Sequence, residues 1–365
     1  MKKKLDLHDE IKVRKNEHLY VVAENNVETN ISTWLEHVIL IHKALPEIDF
    51  DSIDLSCKLL GRIFSAPILI EGMTGGTKKA ATINENLAYL AEKYNLPMGV
   101  GSQRVALEHN DVAWTFKIAR ETAPTAFLIG NIGAAQLRAL KISDIEKIVS
   151  MIEANALAIH LNPLQEAVQP AGDTDYKGIL EKIEKLVETL DVPIIVKETG
   201  AGISRETAQQ LVNIGVKAID VAGVGGTSWS AVEYYRAKKR GDTSKTRLGK
   251  LFWDWGIPTA ASIVEVKSVA KNKADVIGSG GIRTGLDAAK AISIGADFVG
   301  MARPFLIPAM KGVNELENTL NLFLNELKTT MFLTGSKTIN DLKKTPKIIL
   351  PPLRDWIDQR KLTLE

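Results

Sequence analysis

The chain has 365 residues, with 46 Lys plus Arg against 44 Asp plus Glu, a net charge of +2. Hydrophobic residues make up 45% and charged residues 25%, ordinary proportions for a globular chain able to bury a large core. That balance argues against nucleic acid or a membrane surface as the main partner, and the single cysteine, Cys57, excludes an internal disulfide or a multi-cysteine metal site.

The first ten residues, MKKKLDLHDE, are basic but lead into no apolar core, so they do not read as a secretory signal. No apolar run approaches the ~20 residues of a membrane span. A cytoplasmic protein is expected. Residues 1–60 read as an extension ahead of the first strand.

From about residue 67 to 301, eight short apolar runs recur. They are Pro67–Ile70, Leu96–Val100, Ala126–Ile129, Leu157–Leu161, Val192–Val196, Ala218–Val221, Asp275–Gly278 and Asp297–Gly300. Most are apolar throughout rather than alternating, as in parallel strands covered on both faces. Helix-period stretches separate them. In residues 175–190, Ile179, Ile183, Leu186 and Leu190 share one face. Eight strand–helix alternations predict an α/β fold, a (β/α)8 TIM barrel over 61–312, with a doubly wound sheet as the competing layout. A long insertion, 228–262, separates strands six and seven. Its segment RAKKRGDTSKTRLGK, 236–250, carries a net +6 and reads as a solvated mobile loop or as a lid over an anion. Residues 313–365 are expected to be helical, with Val313, Leu316, Leu320, Phe323, Leu324 and Leu327 on a buried stripe.

Barrel chemistry sits at the carboxyl ends of strands. The last three ends, VAGVGGTSW, GSGGIRTG and GMARP, are rich in glycine, which lets backbone N–H groups approach an anion. Arg283 and Arg303 add cations there, so a phosphate site is expected. Lys197 closes an apolar strand, where it would serve as a Schiff-base amine, as a cation beside an electron-rich ring, or as a structural cap. Glu198 would point the other way. Met73-Thr74-Gly75-Gly76, with Ser102 and Asn131, suits the edge of a flat heteroaromatic ring. Arg14, Lys15 and His18, in RKNEH, could join Arg104 and His160 around a polyanion such as a diphosphate. Glu166 is a lone carboxylate suited to Mg²⁺ held mainly by phosphate and water. The six histidines lack zinc-site spacing.

Together these segments resemble type 2 isopentenyl-diphosphate isomerases. The resemblance runs from RKNEH at 14 through MTGG at 73, GSQR at 101, GN at 130, HLNPLQE at 160, VKETGAGIS at 196 and GGIR at 280 to GMARP at 300. Glu71 stands where a smaller residue is expected. The resemblance implies FMN, Mg²⁺, a reductant such as NADPH and a homotetramer or homo-octamer. The implied reaction is the allylic interconversion of isopentenyl and dimethylallyl diphosphate without net redox change. FMN would lie against Met73, Thr74, Gly75, Ser102, Asn131, Lys197 and Thr227. Its phosphate would meet Gly281, Ile282, Arg283, Ala302 and Arg303. Substrate would contact Arg14, Lys15, His18, Ser102, Gln103, Arg104, His160, Asn162 and Gln165, and Glu166 would hold Mg²⁺. Gln165 and Lys197 would be catalytic. An FMN oxidoreductase of the 2-hydroxy-acid or dihydroorotate type is the alternative; a flavin-free Schiff-base barrel and a noncatalytic flavin or RNA binder are further rivals.

Overall fold

The computed structural model describes residues 17–364. Eight parallel strands close into a barrel in sequence order: β1 (Ile68–Ile70), β2 (Met98–Gly99), β3 (Leu128–Gly133), β4 (Ala156–His160), β5 (Ile194–Lys197), β6 (Ala218–Asp220), β7 (Asp275–Ser279) and β8 (Phe298–Met301). Each falls on one of the apolar runs in the sequence, because such runs bury both faces, one against the lumen and one against a helix. The open-sheet alternative is excluded by the closing pair of β8 with β1.

The outer helices begin where the sequence supplies caps. Thr77 accepts from the Ala80 N–H at the start of Lys78–Tyr94, Ser204 does the same for Arg205–Asn213, and Thr284 with Asp287 forms a capping box for Gly285–Ser293. In Ile179–Thr189 the apolar face is buried as the spacing required, with Ile183 and Leu186 essentially inaccessible. The long C-terminal helix Val313–Thr334 buries Leu316, Leu320, Phe323 and Leu327.

Two devices close the barrel's amino end and bind its termini together. A hairpin of Cys57–Leu59 and Arg62–Phe64 turns through Leu60 and Gly61, both at positive φ, the turn geometry that suits twisted strands. It sets Phe64 edge-to-face on Phe127 (5.6 Å) and Phe298 (5.8 Å), beneath a lumen filled by Leu69, Ile129, Ile195 and Ile277. Val38–Leu40 in the amino-terminal extension pairs antiparallel with Lys347–Ile349.

The basic insertion is not a loop. It folds as two helices, Trp229–Arg240 and Thr243–Leu251, followed by the barrel helix Thr259–Ala270. Gly241, at φ 75°, ends the first, and Asp242 caps the second. Apart from Arg236, most of the charges that suggested a solvated loop lie on the outer face. The inner face buries Ser230, Ala231, Val232, Glu233, Arg236 and Ala237. Lys238, Lys239 and Arg240 fall in the last turn, where cations complement the helix dipole.

Candidate active site

A cavity of about 440 Å³ opens at the carboxyl ends of the strands. Strand register brings its polar floor together. Gly133 pairs with His160, His160 with Lys197, and Lys197 with Asp220, so four neighbouring strands present these positions side by side. Lys197 Nζ lies 3.5 Å from both Glu71 Oε2 and Asp220 Oδ2 and donates to the Glu198 carbonyl at 3.0 Å. Burial works against the ammonium, but Glu71, Asp220 and Glu198 outweigh it and raise its pKa, so Lys197 is a cation. A charged Lys197 lacks the free amine with which a Schiff base begins. Glu198 does turn away: its Oε2 accepts from the N–H groups of Thr199 (2.6 Å), Gly200 (2.6 Å) and Ala201, fixing the loop after β5.

Burial and the nearby Asp220 push the Glu71 carboxyl up to about 8, against the pull of Lys197. His160 corrects the sequence expectation of a cation. Burial first, and Lys197 second, hold its pKa down to about 3, so the imidazole is neutral. Its Nδ1 lies 2.8 Å from Asn131 Oδ1, which assigns the proton to Nδ1 and leaves Nε2 as an acceptor.

At one end of the cavity, Gly281 takes φ 73°, and a Cβ there would come within 2.2 Å of the Gly225 carbonyl. This close backbone approach packs the glycine ends of β6 and β7 together beside Arg283 and Arg303. Glu28, from the amino-terminal extension, spans both guanidiniums: Oε1 is 3.0 Å from Arg283 Nη2 and 2.5 Å from Arg303 Nη1. Burial opposes ionisation of Glu28, but the two arginines prevail and lower its pKa. Arg303 Nε is buried without a hydrogen-bond partner. Excess donors gathered on tight glycine turns fit the phosphate of a bound mononucleotide.

The other end is built on the short helix Pro163–Val168 after β4. Asn162, at its start, spends its amide on the helix's own side chains, donating to Gln165 Oε1 and Glu166 Oε1, each at 3.1 Å. Tyr176 donates to Asn162 Oδ1 at 3.1 Å. The Gln165 NH2 then reaches Glu233 Oε1 at 3.3 Å, on the first helix of the insertion. Glu233 Oε1 also meets His18 Nε2 at 3.1 Å, while Oε2 pairs with Arg236. Burial alone would raise the Glu233 pKa; His18, Arg236 and the Gln165 amide together hold it below the usual carboxylate value. His18 stacks edge-on against Trp229 at 5.1 Å.

Glu166 is buried. Asn162 serves one of its oxygens, and Gln169 and the Asp173 N–H serve the other. Among the described residues no group of three or more His, Cys, Asp and Glu gathers around a metal position. Were Mg²⁺ bound here, Glu166 could offer it one carboxylate, the rest of its shell coming from phosphate oxygens and water.

Met73, Thr74, Ser102, Asn131, Thr227, Gly281, Ile282, Arg283, Ala302 and Arg303 line the cavity, with His18, Arg104, His160, Asn162, Gln165, Glu166 and Lys197. Two expected contacts do not. Gln103 is wholly buried behind β3: it accepts from the Asn131 N–H and donates to the Ile148 carbonyl, because the turn into the next helix faces it inward. Gly75 backs onto Phe116, whose ring would lie 2.0 Å from a Cβ there. Arg14 and Lys15 lie outside the described residues. Glu28, Asp220 and Glu233 are absent from the sequence expectations. Asp220 had a signal, an acid inside an apolar strand like Lys197. Glu233 was hidden in the segment taken for a loop.

The chain matches a family model described as FMN-dependent dehydrogenase over residues 154–349. It is 51% identical to an isopentenyl-diphosphate delta-isomerase of Methanothermobacter thermautotrophicus, covering 95% of this chain and 96% of that protein. It is 46% identical to one of Pyrococcus abyssi, covering 95% of each. The fold is also that of a flavocytochrome b2 variant with bound pyruvate (TM-score 0.68, 17% identity, 96% of this chain and 88% of that one). A mandelate oxidase variant shares it at TM-score 0.57 and 15% identity, with 92% of each chain covered. The chain belongs to the type 2 isopentenyl-diphosphate delta-isomerase family.

Proposed function

We propose that this protein interconverts isopentenyl and dimethylallyl diphosphate, with reduced FMN and Mg²⁺, in isoprenoid biosynthesis. The observation that supports the reading is one cavity joining a glycine- and arginine-rich end to the helix that carries Gln165 and Glu166. Gly281, Arg283 and Arg303 stand at the first end. Asn162, Glu166 and Arg104 stand at the second, with Lys197 and Gln165 in the cavity between them.

Reduced FMN, when bound, supplies exchangeable ring protons and an electron-rich face for a developing positive charge. Met73, Thr74, Ser102, Asn131 and Thr227 would border its ring, and Gly281 to Arg283 with Ala302 and Arg303 its phosphate. Lys197 would supply positive charge near that ring. Glu166 would hold Mg²⁺ against the substrate's diphosphate, with Arg104, His18 and Asn162 beside it, and Arg14 and Lys15 are proposed to complete that end. Gln165 has its carbonyl turned to Asn162 and its NH2 to Glu233, so it presents a fixed amide that neither gives nor takes a proton near neutral pH. Neutral His160 is a weak base, which disfavours hydride chemistry that begins with proton abstraction by histidine.

NADPH is proposed as reductant, a homotetramer or homo-octamer as the assembly, and the cytoplasm as the location. The test is to photoreduce the purified yellow protein with isopentenyl diphosphate and Mg²⁺ and follow the dimethylallyl product by proton NMR. Conversion without flavin consumption supports the reading. Absence of conversion, or product in proportion to flavin reoxidised, overturns it.

A further inference from the structure

Glu71 follows β1 and lines the cavity, and the reaction proposed above gives it no part. It faces Lys197 together with Asp220, so one ammonium meets two carboxyl groups. Their side chains are 13%, 7% and 0% exposed for Lys197, Glu71 and Asp220. With both acids ionised this floor would hold an uncompensated negative charge away from water, an arrangement that is strongly disfavoured. A single proton removes it.

The hydrogen bonds say which acid takes the proton. Asp220 Oδ1 accepts from the Ser279 hydroxyl, a bond that favours its ionised form. Asp220 Oδ2 and Glu71 Oε1 are both buried without a hydrogen-bond partner, but Glu71 has no counterpart of the Ser279 bond. Glu71 Oε1 rests against Gly300, where a Cβ would come within 2.1 Å of it, so the missing side chain makes its berth. Glu198 also acts on Lys197, but its carboxylate is turned away onto the N–H groups of Thr199, Gly200 and Ala201. β2 brings Gly99, β7 brings Ser279, β8 brings Gly300, and His160 on β4 is neutral on the far side of Lys197.

We propose that Glu71 carries one proton at neutral pH, making the Glu71–Lys197–Asp220 cluster neutral, and that it takes up a proton in alkali when negative charge is placed on a ring beside Lys197. Lys197 is already matched by Asp220. A further anion on that floor is therefore accommodated only while Glu71 is uncharged. The second half of the proposal rests on the FMN reading; the first half does not.

The FMN-loaded protein is titrated with dithionite and redox dyes from about pH 6 to about pH 10, spanning the ordinary carboxyl-to-amine interval. Glu71 is already protonated below about pH 8, so reduction adds nothing to it there. Above that pH, reduction draws a proton onto Glu71. The midpoint potential of the wild type should then fall twice as steeply with pH, as two protons rather than one accompany two electrons. E71Q should keep the shallower slope throughout. A single shallow slope in the wild type overturns the uptake. The infrared spectrum of flavin-free protein labelled with 13C-glutamate reads the resting proton directly. A buried carboxylic C=O band at pH 7 that disappears in alkali is expected, and its absence overturns the assignment. If E71Q fails to fold, the pH titration of the wild-type band decides. Failure of FMN to bind overturns the proposed function and leaves this infrared test standing.

Discussion

The Gln165 amide donates to Glu233 Oε1 at 3.3 Å, joining the helix after β4 to the first helix of the basic insertion. The same oxygen meets His18 Nε2 from the amino-terminal segment. Three stretches far apart in sequence thus fix one amide. The insertion is a structural wall of the site, and its basic outer face is incidental to that role.

Glu233→Gln tests this wall. The change keeps the shape and removes the charge that orients His18 and Gln165. A charge-assisted hydrogen bond contributes ~1.5–3 kcal/mol, so turnover should fall by roughly 10- to 150-fold. FMN absorbance should be unaltered. Gln165→Asn should lower turnover at least as far, because the shorter amide cannot reach both Asn162 and Glu233. Steady-state kinetics with the folded, flavin-loaded variants checks both; wild-type rates in either would remove the assignment.

Lys197→Ala separates stability from catalysis. Removing the cation leaves Asp220 buried and unpaired, a loss of about 3–5 kcal/mol that urea denaturation would read. Adding Asp220→Asn should restore much of that stability. Turnover should remain down by orders of magnitude in both variants, because the cation proposed to face the flavin ring is gone. Recovery of turnover in the double variant would show that Lys197 acts only structurally.

Glu28 offsets one of the two positive charges of the arginines proposed to meet the flavin phosphate. Glu28→Gln should therefore tighten FMN binding, measured by quenching of flavin fluorescence. The pair is partly exposed, so the gain should be no more than about fivefold and should shrink in salt. Weaker binding would mean that the carboxylate positions the guanidiniums instead of competing with the phosphate.

Glu166→Gln should raise the Mg²⁺ concentration needed for half-maximal rate by roughly tenfold or more, the usual scale for losing a group at a metal site. The relevant measurement is rate against free Mg²⁺ at saturating substrate. An unchanged requirement would place the metal elsewhere.

His160 links the site to acid stability. Its native pKa is about 3 against an ordinary 6.5, so the unfolded chain takes a proton that the native imidazole refuses. Its contribution is present above about pH 6.5, falls away as the pH drops from there, and levels below about 3. His160→Gln should flatten that part of the stability curve in urea melts at successive pH values. An equal slope in the variant would show that other groups govern the acid limb.

The sequence by itself determined the barrel. Strands buried on both faces must be apolar throughout, and helices packed outside them must show a 3.6-residue stripe, so β1 to β8 and helices such as Ile179–Thr189 were legible locally. Lys197 was legible for the same reason, as a charge an apolar strand would not otherwise carry. Tertiary structure alone decided which charges meet. Register sets Lys197 beside Asp220, barrel closure brings Glu71 to Lys197, and the neutrality of His160 follows from burial beside Lys197. Gln103 belongs to a recognisable motif yet faces inward, because the turn after β2 sets its direction. Glu233 and Glu28 hold the cavity-lining Gln165, Arg283 and Arg303 from segments whose surface composition concealed them. Local pattern encodes burial; charge state and partnership depend on distances that only closure of the barrel creates.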